Sequence, residues 1–189
     1  MKKLIIIILS VFILTTNIYG QITRDNWMMG GNASYSVTHC NSYENGGQKN
    51  IFYSLLITPD VAYFFMDKLA AGLKLGIDCL GSKGTGTSVY SKLTNYNFGP
   101  FLRYYFLPKE NDINVLVEGT YQYGLHGAGP DKETSSKNTF DIAAGPVMYF
   151  NSSVGMELLL NYSSYKFVRY SGSNRAFTIS LGLQAYLKK

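Results

Sequence analysis

Charge is scarce in this chain, and so are the residues that build reactive centres. Lys, Arg, Asp and Glu make up 15% of the 189 residues, with two histidines and two cysteines, where a typical soluble domain is about a quarter charged. No charge block or nucleic-acid motif is present. No His, Cys or carboxylate spacing fits a metal site, and no glycine-rich loop is built to cradle phosphate. Neither His39 nor His126 has a Ser and an acid placed to activate a nucleophile. No catalytic residue, metal ligand or cofactor is therefore assigned. Beyond the first twenty residues no apolar run approaches the roughly 20 residues of a membrane helix. No Pro-rich or charged linker divides the chain either, so residues 21–189 read as one domain.

The N-terminus carries its own message. Lys2 and Lys3 precede an apolar run from Leu4 to Leu14, then a polar patch and Ile18-Tyr19-Gly20. This is the three-part layout of a secretory signal peptide with a small residue at the cut. Cleavage is expected before Gln21, which removes residues 1–20 from the fold; a retained anchor is the competing reading.

What the chain has in quantity is Tyr, Phe and Gly, at 16, 11 and 19 residues. They accompany a phrase that occurs three times: Thr58-Pro59-Asp60-Val61-Ala62-Tyr63-Phe64, Gly99-Pro100-Phe101-Leu102-Arg103-Tyr104-Tyr105-Phe106 and Gly145-Pro146-Val147-Met148-Tyr149-Phe150. Each is strand-like and ends in aromatics before a polar turn. The spacing corresponds to two long strands and a loop, so the repeating unit is a β-hairpin. Within the strands apolar residues alternate with polar or small ones. Ala71, Leu73, Leu75, Ile77 and Cys79 oppose Gly72, Lys74, Gly76 and Asp78, and Val154, Met156, Leu158 and Leu160 oppose Gly155, Glu157, Leu159 and Asn161. Eight such segments begin near Trp27, Phe52, Leu69, Leu93, Ile113, Thr139, Val154 and Arg175. Short connections at Asp67-Lys68, Pro108 to Asp112 and Asn151 to Ser153 alternate with long ones.

Placement of charge decides which solvent bathes the wall. The apolar side of all eight segments carries no charge, whereas Asp60, Lys74, Asp78, Arg103, Glu118, Asp141 and Glu157 all lie on the other side. A water-soluble barrel would do the reverse, and Lys or Arg facing mid-membrane lipid costs about 2–4 kcal/mol. The expected fold is all-β, a closed antiparallel eight-stranded transmembrane β-barrel. Tyr63, Tyr104, Phe106, Tyr149, Phe150 and Tyr186 near the short turns, and Tyr35, Tyr90, Tyr96, Tyr121, Tyr123, Phe140, Tyr162 and Phe177 toward the loops, read as two interfacial girdles.

The Gly/Thr-Pro phrases ending in aromatics, together with Ser180, Gly182, Ala185 and Leu187 in the final strand, make the chain resemble the small eight-stranded outer-membrane β-barrel proteins of Gram-negative bacteria, of the OmpX-like type. The final Lys188-Lys189 stands where that pattern has an aromatic. The resemblance implies an outer-membrane protein inserted by the assembly machinery.

An eight-stranded barrel is filled by its own side chains, so a polar plug is expected, with Arg103, Lys74, Glu118, Glu157 and Asp60 at neighbouring heights forming a structural salt-bridge network; a proton or substrate relay is the functional alternative. Pro59, Pro100 and Pro146 lack the N–H a neighbouring strand needs, so bulges or gaps are expected there. Basic residues gathered at the loop ends point to lipopolysaccharide phosphates, with Lys166, Arg169 and Arg175 as contacts. Cys40 and Cys79 are candidates for a disulfide if the first loop folds over. The function expected is non-enzymatic: a structural or cell-surface interaction role, with outer-membrane lipids and an unidentified surface partner meeting the external loops. An outer-membrane lipid-modifying enzyme and a secreted soluble ligand-binding barrel are the alternatives.

Overall fold

The computed structural model describes residues 22–41, 49–84, 90–128, 135–168 and 173–188. The proposed leader, residues 1–20, lies outside them. Eight strands follow one another: β1 (Trp27–Asn41), β2 (Lys49–Met66), β3 (Leu69–Gly84), β4 (Tyr90–Tyr105), β5 (Ile113–Ala128), β6 (Ser135–Asn151), β7 (Val154–Phe167) and β8 (Asn174–Leu187). Each pairs antiparallel with its sequence neighbours, and β1 also pairs with β8, closing the barrel. Alternation explains the fold: a ribbon with one apolar side is stable facing hydrocarbon when its backbone groups are paired, and closing β1 on β8 pairs most of the edge that an open sheet would leave bare.

The two faces differ as the alternation requires. Leu73, Phe98, Leu102, Tyr121, Ile142, Leu158, Leu160 and Leu181 are exposed on the outer wall, while Asp60, Lys74, Arg103, Glu118 and Glu157 are buried inside. At the short-turn end, outward aromatics pack in pairs, Trp27 on Tyr63 at 5.2 Å and Tyr104 on Phe106 at 5.1 Å. At the loop end Tyr162 packs on Phe177 at 5.0 Å.

Two members of the expected girdle belong to the interior instead. Tyr186 is fully buried, and Tyr149 turns inward against it, with ring centroids 5.5 Å apart. Parity puts them there, on the side of Gln184 and Val147. With Phe64 and Tyr105 they form an aromatic floor, and Ile22, Leu116 and Val147 are buried in the same cluster. The segment ahead of β1 closes the turn end: Lys68 N–H donates to the Ile22 carbonyl at 2.8 Å and Phe64 N–H to that of Asn26 at 2.9 Å. The polar residues of the lumen stand on this aromatic floor, with the ions on its loop side.

The three prolines sit at gaps in the ladder. Thr58-Pro59 forms no bridge with β3, Gly99-Pro100 none with β5 and Gly145-Pro146 none with β7, while the register on either side of each gap is unbroken. Irregularities that do shift the register lie at Phe64/Met66, Thr94/Tyr96 and Tyr149/Asn151. The glycine before two of the prolines lies close under a neighbouring carbonyl: a Cβ on Gly99 would lie 1.9 Å from Tyr121 O, and one on Gly145 2.0 Å from Leu158 O. Backbone cannot swing aside as a side chain can. Gly99→Ala and Gly145→Ala are expected to lose about 1–3 kcal/mol of stability, as over-packing does. Gly119→Ala, with open space around its Cβ, should stay within about 0.5 kcal/mol; urea unfolding in detergent micelles measures all three.

Candidate functional site

Five strands each send one ion to a single level of the lumen. Asp60 comes from β2, Lys74 from β3, Arg103 from β4, Glu118 from β5 and Glu157 from β7. Arg103 is their hub. Its Nε and Nη2 donate to Glu118 Oε2 at 2.9 and 2.6 Å, and its Nη1 to Glu157 Oε1 at 2.7 Å. Asp60 Oδ2 lies 3.8 Å from Arg103 Nη2 and 3.9 Å from Lys74 Nζ. Lys74 donates to Glu118 Oε1. The planar guanidinium can serve two carboxylates at once because its donors point in fixed, divergent directions.

The surroundings hold the guanidinium from below and from the side. Tyr105, on the same face of β4, accepts from Nη1 at 3.3 Å and shares a 3.0 Å hydrogen bond with Tyr186, which ties the ionic layer to the aromatic floor. Phe101 lies inward two residues earlier, with Lys74 Nζ at 4.9 Å and the Arg103 guanidinium carbon at 5.6 Å from its ring centre. Gln184 Nε2 donates to Asp60 Oδ2 at 3.2 Å. Tyr105, Phe101 and Gln184 are the members that charge pairing alone does not reveal; their inward parity on β4 and β8 is the available signal. Two cations face three carboxylates here, and Asp60 Oδ1 and Glu157 Oε2 are buried without a hydrogen-bond partner. Chemically the cluster is a fixed ionic cross-brace among five strands.

Above it lies a polar cavity of about 60 Å³, with Lys74 and Glu118 at its base and Asn32, Thr120, Gln122, Asp141 and Ser180 on its walls. Ser163 donates to Asp141 there. Lys137, near the loop end of β6, is half-buried, with its ammonium 5.5 Å from the centre of the Tyr165 ring.

Of the three residues expected at lipid phosphate, Lys166 and Arg175 are exposed near the loop ends of β7 and β8. Arg175 pairs in register with Ser164, two residues from Lys166. Arg169 lies outside the described residues. Cys79 is an exposed free thiol. The register sets Cys40 opposite Asn50 and Asn50 opposite Gly84, well along β3 from Cys79. Cys79 is therefore unbonded in this structure, and the side chain of Cys40, like that of His39 and His126, lies outside the described residues.

No known protein-family model matches the chain, and no curated protein matches it. Among solved structures it is similar to Neisserial surface protein A (NspA), at TM-score 0.51 and 13% identity, over 85% of this chain and 96% of that one. At that identity the likeness concerns the fold, a closed antiparallel eight-stranded barrel.

Proposed function

We propose that the protein is an integral outer-membrane barrel of the small OmpX-like kind, serving a structural or cell-surface interaction role through its loop end. One observation carries this reading: away from the loop ends, where Lys166 and Arg175 stand, an apolar wall without charge surrounds a lumen that holds the ions, the arrangement hydrocarbon demands and water does not. Export by a leader cleaved before Gln21 and insertion by the outer-membrane assembly machinery belong to the same reading. The fold-level likeness to a neisserial surface protein supports the setting.

At the loop rim the reading becomes specific. Lys166 and Arg175 stand exposed on adjacent strands, where lipopolysaccharide phosphates would lie, and Arg169 joins them by sequence. Charge-assisted contacts to phosphate are among the stronger polar interactions. Changing Lys166, Arg169 and Arg175 together to Gln is expected to weaken lipopolysaccharide binding to the detergent-folded barrel by about tenfold, equivalent to about 1.4 kcal/mol. Unchanged binding would remove the phosphate contact from the proposal.

A further inference from the structure

The barrel does not close evenly. β1 pairs with β2 along its whole length, from Trp27↔Tyr63 to Asn41↔Lys49, whereas its ladder with β8 stops at Ala33↔Leu181. From Ser34 to Val37 and from Phe177 to Ser180 each strand is paired on its other side alone. The outward side chains along this seam include the most exposed apolar groups of the wall: Phe177 at 72%, Ile179 at 66% and Tyr35 at 64%. A closed ladder would shield part of that surface.

Two concavities meet where the ladder ends. Inside is the polar lumen cavity; outside is an apolar groove across β1 and β8, floored by small residues such as Gly30, Gly31 and Gly182 and walled by Met156 and Leu183. Asn32 and Ala33 line both. Asn32 is 6% exposed and its Oδ1 has no hydrogen-bond partner. The charged residues lining the cavity are Lys74, Glu118 and Asp141. Lys74 and Glu118 are paired with each other, whereas Asp141 accepts from Ser163 and has no ion pair within 4 Å among the described residues. Among the described residues no unpaired cation lines the cavity, Lys137 lying beyond it over Tyr165, so the cavity offers a carboxylate and an orphan amide oxygen, and a primary ammonium, with three donors and no acceptor, matches such a set.

We propose that the β1–β8 seam is a lateral binding site for a membrane amphiphile with a primary-amine headgroup. The ammonium enters the lumen between the unpaired halves of the strands and meets Asp141 and Asn32. The alkyl chain stays outside, in the groove below Ala33. The direction is that of a lipid in the leaflet nearest the loops, head toward the loop end and tail toward mid-membrane. The site rests on the membrane reading above, and the two fail separately. A barrel that folds in plain buffer without detergent removes the reading; a detergent-folded barrel that ignores the amine removes the site alone.

The test titrates dodecylamine into the full barrel in maltoside micelles and follows the side-chain amide resonance of Asn32 by NMR. A saturable shift is expected with dodecylamine and none with dodecanol, which has the same tail and no charge. Ala33→Trp, which fills the groove from outside, should weaken the amine at least about tenfold, as losing about 1.4 kcal/mol of contact would. A reversible lock provides the second arm: Ser36→Cys with Thr178→Cys, in a Cys40→Ser/Cys79→Ser background, should abolish binding when oxidised and restore it on reduction. Equal shifts from dodecanol, or amine binding unaltered by both Ala33→Trp and the oxidised lock, overturn the proposal.

Discussion

Arg103→Ala is expected to lose about 3–5 kcal/mol of unfolding free energy, because removing one partner of a buried ionic network leaves the others charged and unpaired. Arg103 is 0% exposed and holds Glu118 and Glu157 directly, with Asp60 beside it. After truncation Lys74 alone faces three carboxylates inside a ring of strands that admits little water. Stability is read from urea unfolding of the protein refolded in detergent micelles. A compensated variant separates charge from packing. Arg103→Met with Glu157→Gln removes one charge of each sign and keeps the side-chain volume, so it should recover most of the loss, as apolar replacement of buried ion pairs elsewhere has done. If Arg103→Ala alone unfolds at the same urea concentration as the parent, the cluster does not brace the barrel.

The cluster is poorly suited to act as a relay. A relay needs a group free to exchange partners, and Arg103 instead spreads its donors over Glu118, Glu157 and the Tyr105 hydroxyl. Tyr105 in turn is tied to Tyr186. The layer is built to stay in place, and its contacts span sequence separations that stitch the first half of the chain to the last.

Much of this architecture is visible in the sequence because a closed barrel with one apolar face imposes a period of two with little tolerance. Lys74 and Glu157 sit among Leu75, Leu73, Met156 and Leu158, and a charge flanked by apolar neighbours on both sides states its own direction. The short turns at Asp67-Lys68 and Asn151 to Ser153 then fix the heights at which those charges arrive. Aromatics are less decisive. Tyr suits an interface and a packed lumen equally, so composition assigned Tyr149 and Tyr186 to the girdle, whereas the parity of Val147 and Gln184 puts them on the floor. Lys137 obeys the same rule: it shares the inward parity of Thr139 and Asp141 on β6, which brings its ammonium over Tyr165.

The seam lies beyond what alternation can convey. How far two strands stay hydrogen-bonded depends on the stagger and twist of the whole closed sheet, and β1 and β8 are the pair furthest apart in sequence. Ser34, Ser36, Thr178 and Ser180 look like any lumen-facing set. The proline gaps are intermediate: a missing N–H foretells a missing bond, but only the neighbouring strands determine that the register survives it without a bulge.

One substitution tests directly whether hydrocarbon surrounds the outer wall. Ile142 lies in the middle of β6, away from the seam, with its side chain exposed outward. In lipid vesicles Ile142→Lys should unfold about 2–4 kcal/mol more easily than Ile142→Ala, since the comparison leaves chiefly the cost of placing an ammonium in the bilayer core. A lysine there that matches the alanine variant to within about 0.5 kcal/mol, the ordinary range for a water-exposed site, would contradict the placement of this wall in a membrane.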